Sequence, residues 1–249
     1  MRLELQPAFI LHTRPYRDTS LLIDFFTPDH GRISAVARGM RQRKSPTRSL
    51  LNPFTRLLIS VQGKSELKLL TAVEADNRFF SLQKEYLYSG LYLNELLLRS
   101  LPLADPHKHL FAIYEQSLDA LQAGQLLEPV LRSFELDLLN ELGYGVDFEH
   151  DALTGAAIGA EQDYIFEPEQ GFIALEEQQP GARLVLAGQT VLAIAQRDFS
   201  SAIVRAGSKQ LCRQLLKPLL GHRPLRSREL FIQTRGSIIP DDTPPSLPQ

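Results

Sequence analysis

The chain has no tryptophan, two methionines and one cysteine, Cys212. A single thiol can neither close an intrachain disulfide nor build a multi-cysteine zinc site, which excludes a stapled fold and fits a reducing compartment. No apolar run approaches the roughly eighteen residues that cross a bilayer. The N-terminal MRLELQPAFILH interrupts its apolar residues with Arg2 and Glu4, so neither an export signal nor a membrane span is expected. A further absence is local. No acid occurs between Asp29 and Glu66, an interval that holds eight basic residues: Arg32, Arg38, Arg41, Arg43, Lys44, Arg48, Arg56 and Lys64. A surface built only for solubility mixes signs, so a strip of one sign is expected to face an anion; the bland alternative is a solvated basic loop.

The overall net charge of −2 conceals this polarity. Residues 1–60 carry ten basic and four acidic residues, net +6; residues 61–180 carry seven and 21, net −14; residues 181–249 carry ten and four, net +6. Two basic ends around an acidic middle suggest polyanion binding at the ends and a different task in the centre.

With 249 residues and 43% apolar content, the chain can bury one large core or two to three smaller ones. From Ala8 to Asp76 short β-like runs alternate with turn residues: AFILHTR, TSLLIDFF, RISAVARG, FTRLLISVQ and ELKLLTAVE. Five strands without a helix-length stretch between them predict a small barrel of OB type. In the third strand Ile33, Ala35 and Ala37 share one face, while Arg32, Ser34, Val36 and Arg38 share the other, as the strand period of two requires. Arg32 and Arg38 then stand about 20 Å apart, the reach of several nucleotides. The strip VARGMRQRKSPTRS continues that face into a loop.

Beyond Ser81 the period becomes helical. SLQKEYLYSGLYLNELLLRSL aligns Leu87, Leu91 and the run from Asn94 to Leu98. HLFAIYEQSLDALQAG stacks Leu110, Phe111, Tyr114, Leu118 and Leu121 and stops at Gly124. EPVLRSFELDLLNELGYG turns Leu131, Phe134, Leu138, Leu139 and Leu142 inward, with Pro129 in its first turn and Gly143 just past its end, where each is favoured. Three antiparallel helices form a bundle. QDYIFEPEQGFIALEE reads as a hairpin turning at Gly171, followed by a short helix near Gln189–Arg197 and a last helix near Ser200–Leu219. The fold class is therefore α+β: barrel over 1–80, helical bundle over 81–148, a C-terminal region over 149–235 whose basic helix packs on the bundle, and a disordered proline-rich tail over 236–249.

The last helix repeats Arg205, Lys209, Arg213 and Lys217 at every fourth position, with Arg223, Arg226 and Arg228 just beyond. Like charges at i, i+4 repel, so the stripe suits a polyanion; the alternative is a basic face paired with the acidic middle. Arg132 is the one basic residue between Lys108 and Arg183. Beside an apolar groove it suits a carboxylate whose neighbouring side chain fills that groove, although Glu128, four residues earlier, is also placed to form an ordinary helix pair.

Enzyme signals are weak. Asp147, Glu149, His150 and Asp151 offer metal donors without partners from elsewhere, and a magnesium-dependent nuclease built on the three acids stands as a third functional class. His107 and His109 lie two apart, which suits no common site. QGKS lacks the glycine a phosphate loop needs five positions before Gly63, where Leu58 stands. Cys212 is expected to be a packed thiol.

These stretches resemble the bacterial RecO family of recombination mediators. AFILHTRPYRDTSLLIDFFTPDHGRISAVARGMR is similar to that family's N-terminal barrel, LYSGLYLNELLLR and LRSFELDLLNELGYGVDF to its helical domain, and LKPLLGHRPLRSRELF to its C-terminal basic segment. The resemblance implies binding of single- and double-stranded DNA, annealing of complementary strands, engagement of the acidic C-terminal tail of single-stranded-DNA-binding protein, and joint work with RecR to load RecA. It implies no catalysis and no cofactor, and a cytoplasmic, nucleoid-associated setting. Carried over by motif, Arg14, Arg32, Arg38, Arg41, Arg43 and Lys44, with Arg48 of the same strip, are DNA-binding candidates. Arg205, Lys209, Arg213 and Lys217 join them from the last helix. Leu131, Arg132 and Phe134 are candidates for holding the partner tail. Many members carry a cysteine-rich zinc site after the position of GYGVDF; here FEHDALTG and the residues C-terminal to it contain only Cys212. Zinc is not expected, and residues 150–172 must keep their shape by packing and hydrogen bonds. The alternative is a non-catalytic adaptor whose basic faces bind acidic proteins.

Overall fold

The structure, a computed structural model, describes residues 2–41, 49–175, 184–221 and 223–230. The tail expected to be disordered over 236–249 lies outside the described residues.

Strands β1 (Arg2–Tyr16), β2 (Ser20–Thr27), β3 (Gly31–Ala37), β4 (Thr55–Gln62) and β5 (Lys68–Phe79) close into a barrel in the order β1-β2-β3-β5-β4. All pairings are antiparallel except β3 with β5, which run parallel at Ala35↔Lys68 and Val36↔Leu69. This is the OB-type closure the strand pattern predicts. Alternation supplies its interior: Ile33, Ala35 and Ala37 of β3 meet Ile10, Ile23, Phe25, Leu57 and Ile59.

The outer face of the same strands is divided. Around a bulge in β1 between Ile10 and His12, Phe9 and Leu11, with Phe26 of β2, turn out of the barrel into a second core shared with the helices. Phe9 and Phe26 each lie 5.4 Å from the Phe111 ring, and Phe9 meets Tyr114 edge-on at 5.2 Å. Each such ring pair contributes about 0.5–1.5 kcal/mol beyond the area it buries.

Helices α1 (Lys84–Ser100), α2 (Lys108–Gln122) and α3 (Leu127–Glu141) supply the rest of that core, joined by α4 (Gly188–Ala195) and α5 (Ala202–Leu220). A small sheet of order β7-β6-β8 covers it, from β6 (Asp163–Glu167), β7 (Gly171–Ala174) and β8 (Leu184–Ala187). The expected hairpin is β6–β7, with Gly171 paired to Glu167. The third strand, β8, has no counterpart in the sequence reading. The first helix begins at Lys84 rather than Ser81, and its buried face runs through Gly90, Leu93, Asn94, Leu96 and Leu97, leaving Leu87, Leu91 and Leu98 half-buried. Barrel contact sets that face. A Cβ on Gly90 would come within 2.8 Å of the Phe54 ring and 2.6 Å of Leu82.

Polar ties lock the junction. Arg56 of β4 and Arg78 of β5 share Glu115 of α2 at 3.0 Å each; Arg56 also meets Asp76 at 2.9 Å, and Arg78 meets Asp119. Gly31, at φ +58°, leaves room for Asp105: a Cβ there would fall 1.7 Å from its carbonyl oxygen.

In the segment after α3, Asp151 organises the chain. Its carboxylate, 4% exposed, accepts the N–H groups of Leu153, Thr154 and Ala174 at 2.6–3.0 Å and the Thr154 hydroxyl at 2.8 Å. Asp147 accepts the N–H groups of Glu149 and His150. Asp151 is thus turned largely to loop backbone, and the second oxygen of Asp147 meets the His150 ring nitrogen at 3.0 Å. Among the described residues no three His, Cys, Asp or Glu side chains are grouped to hold a metal ion.

Candidate nucleic-acid interface

One end of the barrel is formed by the β1–β2 turn and the chain leaving β3, because Tyr16 pairs with Ser20 and Leu21 with Ala37. Arg14 is exposed on β1, opposite Leu22, which in turn faces Val36 on β3. Arg38 follows directly and is exposed. Arg17, in the turn at φ +51°, lies over the Tyr16 ring at 5.4 Å. Arg41 folds back on the turn: its N–H donates to Thr19 O at 2.9 Å, and its guanidinium donates to Arg17 O and Asp18 O at 3.0 and 3.2 Å. Four arginines thus gather at one end of an OB-type barrel. Arg14, Arg17, Arg38 and Arg41 make no ion pair among the described residues. The Tyr16–Arg17 pair was missed by the sequence reading; YRD at a strand end, an aromatic beside a cation, was the available signal. Arg43, Lys44 and Arg48 lie outside the described residues.

Arg32 departs from expectation. It shares the outer face with Arg38, as alternation requires, but its half of that face is covered by the end of α1. Its Nε donates to Leu101 O at 3.0 Å, its guanidinium lies 3.7 Å from Asp24, and its backbone bridges to Leu103. Ser34 donates to the same Asp24 at 2.5 Å. Arg32 therefore holds barrel to helices rather than facing solvent.

The α5 stripe also divides. Arg205 and Lys209 both approach Glu128 of α3, at 3.4 and 3.6 Å, and Arg205 donates to Phe199 O and Ser200 O. Half of the stripe is thus paired with the acidic middle. Arg213 and Lys217, one and two turns on, are exposed and make no ion pair among the described residues.

The three partner-tail candidates occupy different depths. Leu131 is half-buried on α3. Phe134 is wholly buried and packs at 6.4 Å from Tyr114, so it belongs to the core rather than to a groove. Arg132 is only 8% exposed, because α5 packs on α3 over it. Its partner is not Glu128 but Glu135, reached at 2.6 Å, while Tyr92 of α1 donates to the other oxygen of Glu135 at 2.6 Å. Arg132 Nε has no hydrogen-bond partner, and the contact with Glu135 Oε2 is close but poorly aligned, an ion pair without hydrogen-bond geometry. Complete burial holds the Glu135 carboxyl above its usual range despite the Arg132 charge and the Tyr92 hydrogen bond. Burial, reinforced by Glu135, pushes the Cys212 thiol well up, which fits a packed thiol rather than a reactive one.

Comparison with known proteins covers both halves of this architecture. The family described as Recombination protein O N terminal matches residues 1–79, and Recombination protein O C terminal matches residues 83–229. The DNA repair protein RecO of Cellvibrio japonicus is 55% identical over 237 residues, covering 95% of this chain and 99% of that relative. The DNA repair protein RecO of Haemophilus influenzae is 45% identical over 233 residues (94% and 98%), and that of Pseudoalteromonas atlantica 44% over 236 residues (94% and 96%). The boundary between the two matches falls where the barrel hands over to α1, and similarity of this extent has one reading: the chain belongs to the RecO family of DNA repair and recombination proteins.

Proposed function

We propose that this protein is a recombination mediator that binds single- and double-stranded DNA, anneals complementary strands coated with single-stranded-DNA-binding protein and, together with RecR, helps load RecA. The observation that carries the DNA reading is the group of exposed arginines, Arg14, Arg17, Arg38 and Arg41, at one end of an OB-type barrel. Cations there meet phosphates without regard to sequence, and the aromatic beside them suits a stacked base. Residues 1–80 form the DNA-binding unit in this reading, extended by Arg43, Lys44 and Arg48 of the strip. Arg213 and Lys217 add a second basic face. The role is non-catalytic and belongs at the nucleoid in the cytoplasm; among the described residues no helix is long and apolar enough to cross a membrane. Residues 81–148 meet protein partners. Leu131 and Arg132 mark where the acidic tail of single-stranded-DNA-binding protein docks, and Arg132 turns outward from Glu135 to take its carboxylate.

One observation favours the adaptor reading instead: Arg205 and Lys209 already hold a protein carboxylate, that of Glu128. The annealing rate of coated complementary oligonucleotides across a salt series separates the two. Acceleration by the wild type, weaker naked-strand binding with a flatter salt slope for Arg14→Ala/Arg38→Ala, and failure of Arg132→Ala on coated strands alone support the mediator. Coated strands that stay apart at every salt concentration, with partner binding retained, support the adaptor.

A further inference from the structure

After α5 the chain turns back across α1, and two side chains one turn apart on that helix seize it. Arg99 donates to the carbonyls of Leu220, of Arg223 at 2.8 Å and of Pro224 at 3.2 Å. Glu95 accepts the N–H groups of Arg226 and Ser227 at 3.0 and 2.9 Å and the Ser227 hydroxyl at 2.6 Å, so a carboxylate from another helix caps the short helical turn over 226–230. Such donors at a helix start need acceptors, and here α1 supplies them. The two clamp residues also lie 3.7 Å from each other. Ser227, 4% exposed, is the inward anchor.

What the clamp displays is cationic. Arg223, Arg226 and Arg228 are all exposed, and none makes an ion pair among the described residues; Glu229 is the one acid of the segment 223–230. Three guanidinium groups within six residues repel one another, and a loose segment would let them spread. Instead Glu95 and Arg99 fix the backbone that carries them. The last turn of α1 also ties down the barrel, since Leu101, two residues after Arg99, accepts Arg32 of β3. The two basic ends of the chain are therefore fastened to the end of one helix. About 20 Å of β3 separates Arg32 from Arg38 at the open barrel end.

We propose that Arg223, Arg226 and Arg228, on a segment fixed by the Glu95–Arg99 clamp, form a further phosphate-contacting surface for the nucleic-acid backbone, beyond the barrel end and the α5 face. This rests on the nucleic-acid reading above. Phosphodiesters are favoured because the segment exposes three guanidinium groups, none in an ion pair among the described residues, against the single acid Glu229, and a regularly repeating anion complements such a cluster without regard to sequence.

The test is binding of a fluorescent single-stranded oligonucleotide and of its duplex, measured by anisotropy across a salt series. Arg223→Ala/Arg226→Ala/Arg228→Ala should bind more weakly than the wild type. Its log–log salt slope for the single strand should be flatter by about 2, the loss of three phosphate contacts. Glu95→Ala and Ser227→Ala keep every arginine and should still lose affinity, because the backbone that presents the guanidinium groups is no longer fixed; simple charge counting predicts a gain for Glu95→Ala. Wild-type affinity and slope in the triple variant, with binding lost in Arg14→Ala/Arg38→Ala, overturn this inference and leave the nucleic-acid reading intact. Wild-type binding in both variants overturns both. A triple variant that binds oligonucleotide normally but no longer captures a synthetic acidic peptide assigns the surface to protein and overturns the inference.

Discussion

Asn94 sits where α1 meets the barrel, and each end of its amide is occupied. Its Nδ2 donates to Ile10 O and Leu11 O at 3.2 and 3.3 Å, carbonyls beside the β1 bulge, and its Oδ1 accepts the Tyr114 hydroxyl at 2.5 Å. Water cannot replace these partners, since Asn94 is 2% and Tyr114 0% exposed. Tyr114→Phe should therefore cost about 1–3 kcal/mol in a urea titration, and Asn94→Ala more, because it strands the hydroxyl and frees two carbonyls. Asp151 gives a prediction with a pH sign. Burial raises its pKa, but the N–H groups of Thr154, Ala174 and Leu153 and the Thr154 hydroxyl more than offset this and leave it lowered. The unfolded chain binds that proton near pH 3.9 and the folded chain only at lower pH, so the contribution is complete above about 3.9 and is lost as pH falls through the folded value. Amide exchange at Leu153, Thr154 and Ala174 should accelerate selectively in that acid range, and Asp151→Asn should remove the selectivity. Residue roles of this kind were only half legible. Alternation correctly put Arg32 and Arg38 on one face of β3, but which half of that face is covered depends on Leu101, 69 residues away in the chain. Local spacing carries no record of such a partner.

Helix α3 repeats the lesson over fifteen residues. Its period was clear from the leucines, and Phe134, Leu138 and Leu139 are buried as read. The pattern assigns no depth to charged residues, however, and Arg132 and Glu135 lie buried under α5. A buried pair of this kind adds little net stability, while loss of one partner leaves an uncompensated charge. Glu135→Leu should thus destabilise the fold by about 3–5 kcal/mol. Arg132→Met/Glu135→Leu should recover most of that loss by denaturant titration, falling short by the Tyr92 hydroxyl that it leaves without an acceptor. If the double variant is as unstable as the single one, the pair contributes more than its desolvation removes. Strand β8 escaped notice for a related reason: four residues, LVLA, are too few to establish a period, and only the neighbouring β6 makes them a strand. The α5 stripe was visible in full, but its division between Glu128 and solvent is a property of two elements together.

At the scale of the molecule, the charge polarity read from the sequence is partly consumed within the fold. Arg32, Arg56, Arg205 and Lys209 turn to acids or carbonyls of other elements, and among the described residues arginines and a lysine without an ion pair gather at the barrel end, on the later turns of α5 and on the segment after it. Phe9, Leu11 and Phe26 also commit the barrel to the helical core, so the two halves should unfold together. The absence of tryptophan makes this simple to test. Tyr16→Trp reports on the barrel and Tyr144→Trp on the end of α3, and the two fluorescence transitions in guanidinium should coincide; separated midpoints would mean that the shared core does not couple them. The C-terminal clamp has a consequence during synthesis. Glu95 leaves the ribosome 132 residues before the Ser227 that it holds. At roughly 5–20 residues per second that interval is about 7–26 s, during which α1 carries a carboxylate and a guanidinium without their final partners. The growing chain can close its barrel early, yet the second basic segment is fastened to the end of α1 only once residues 223–230 have emerged.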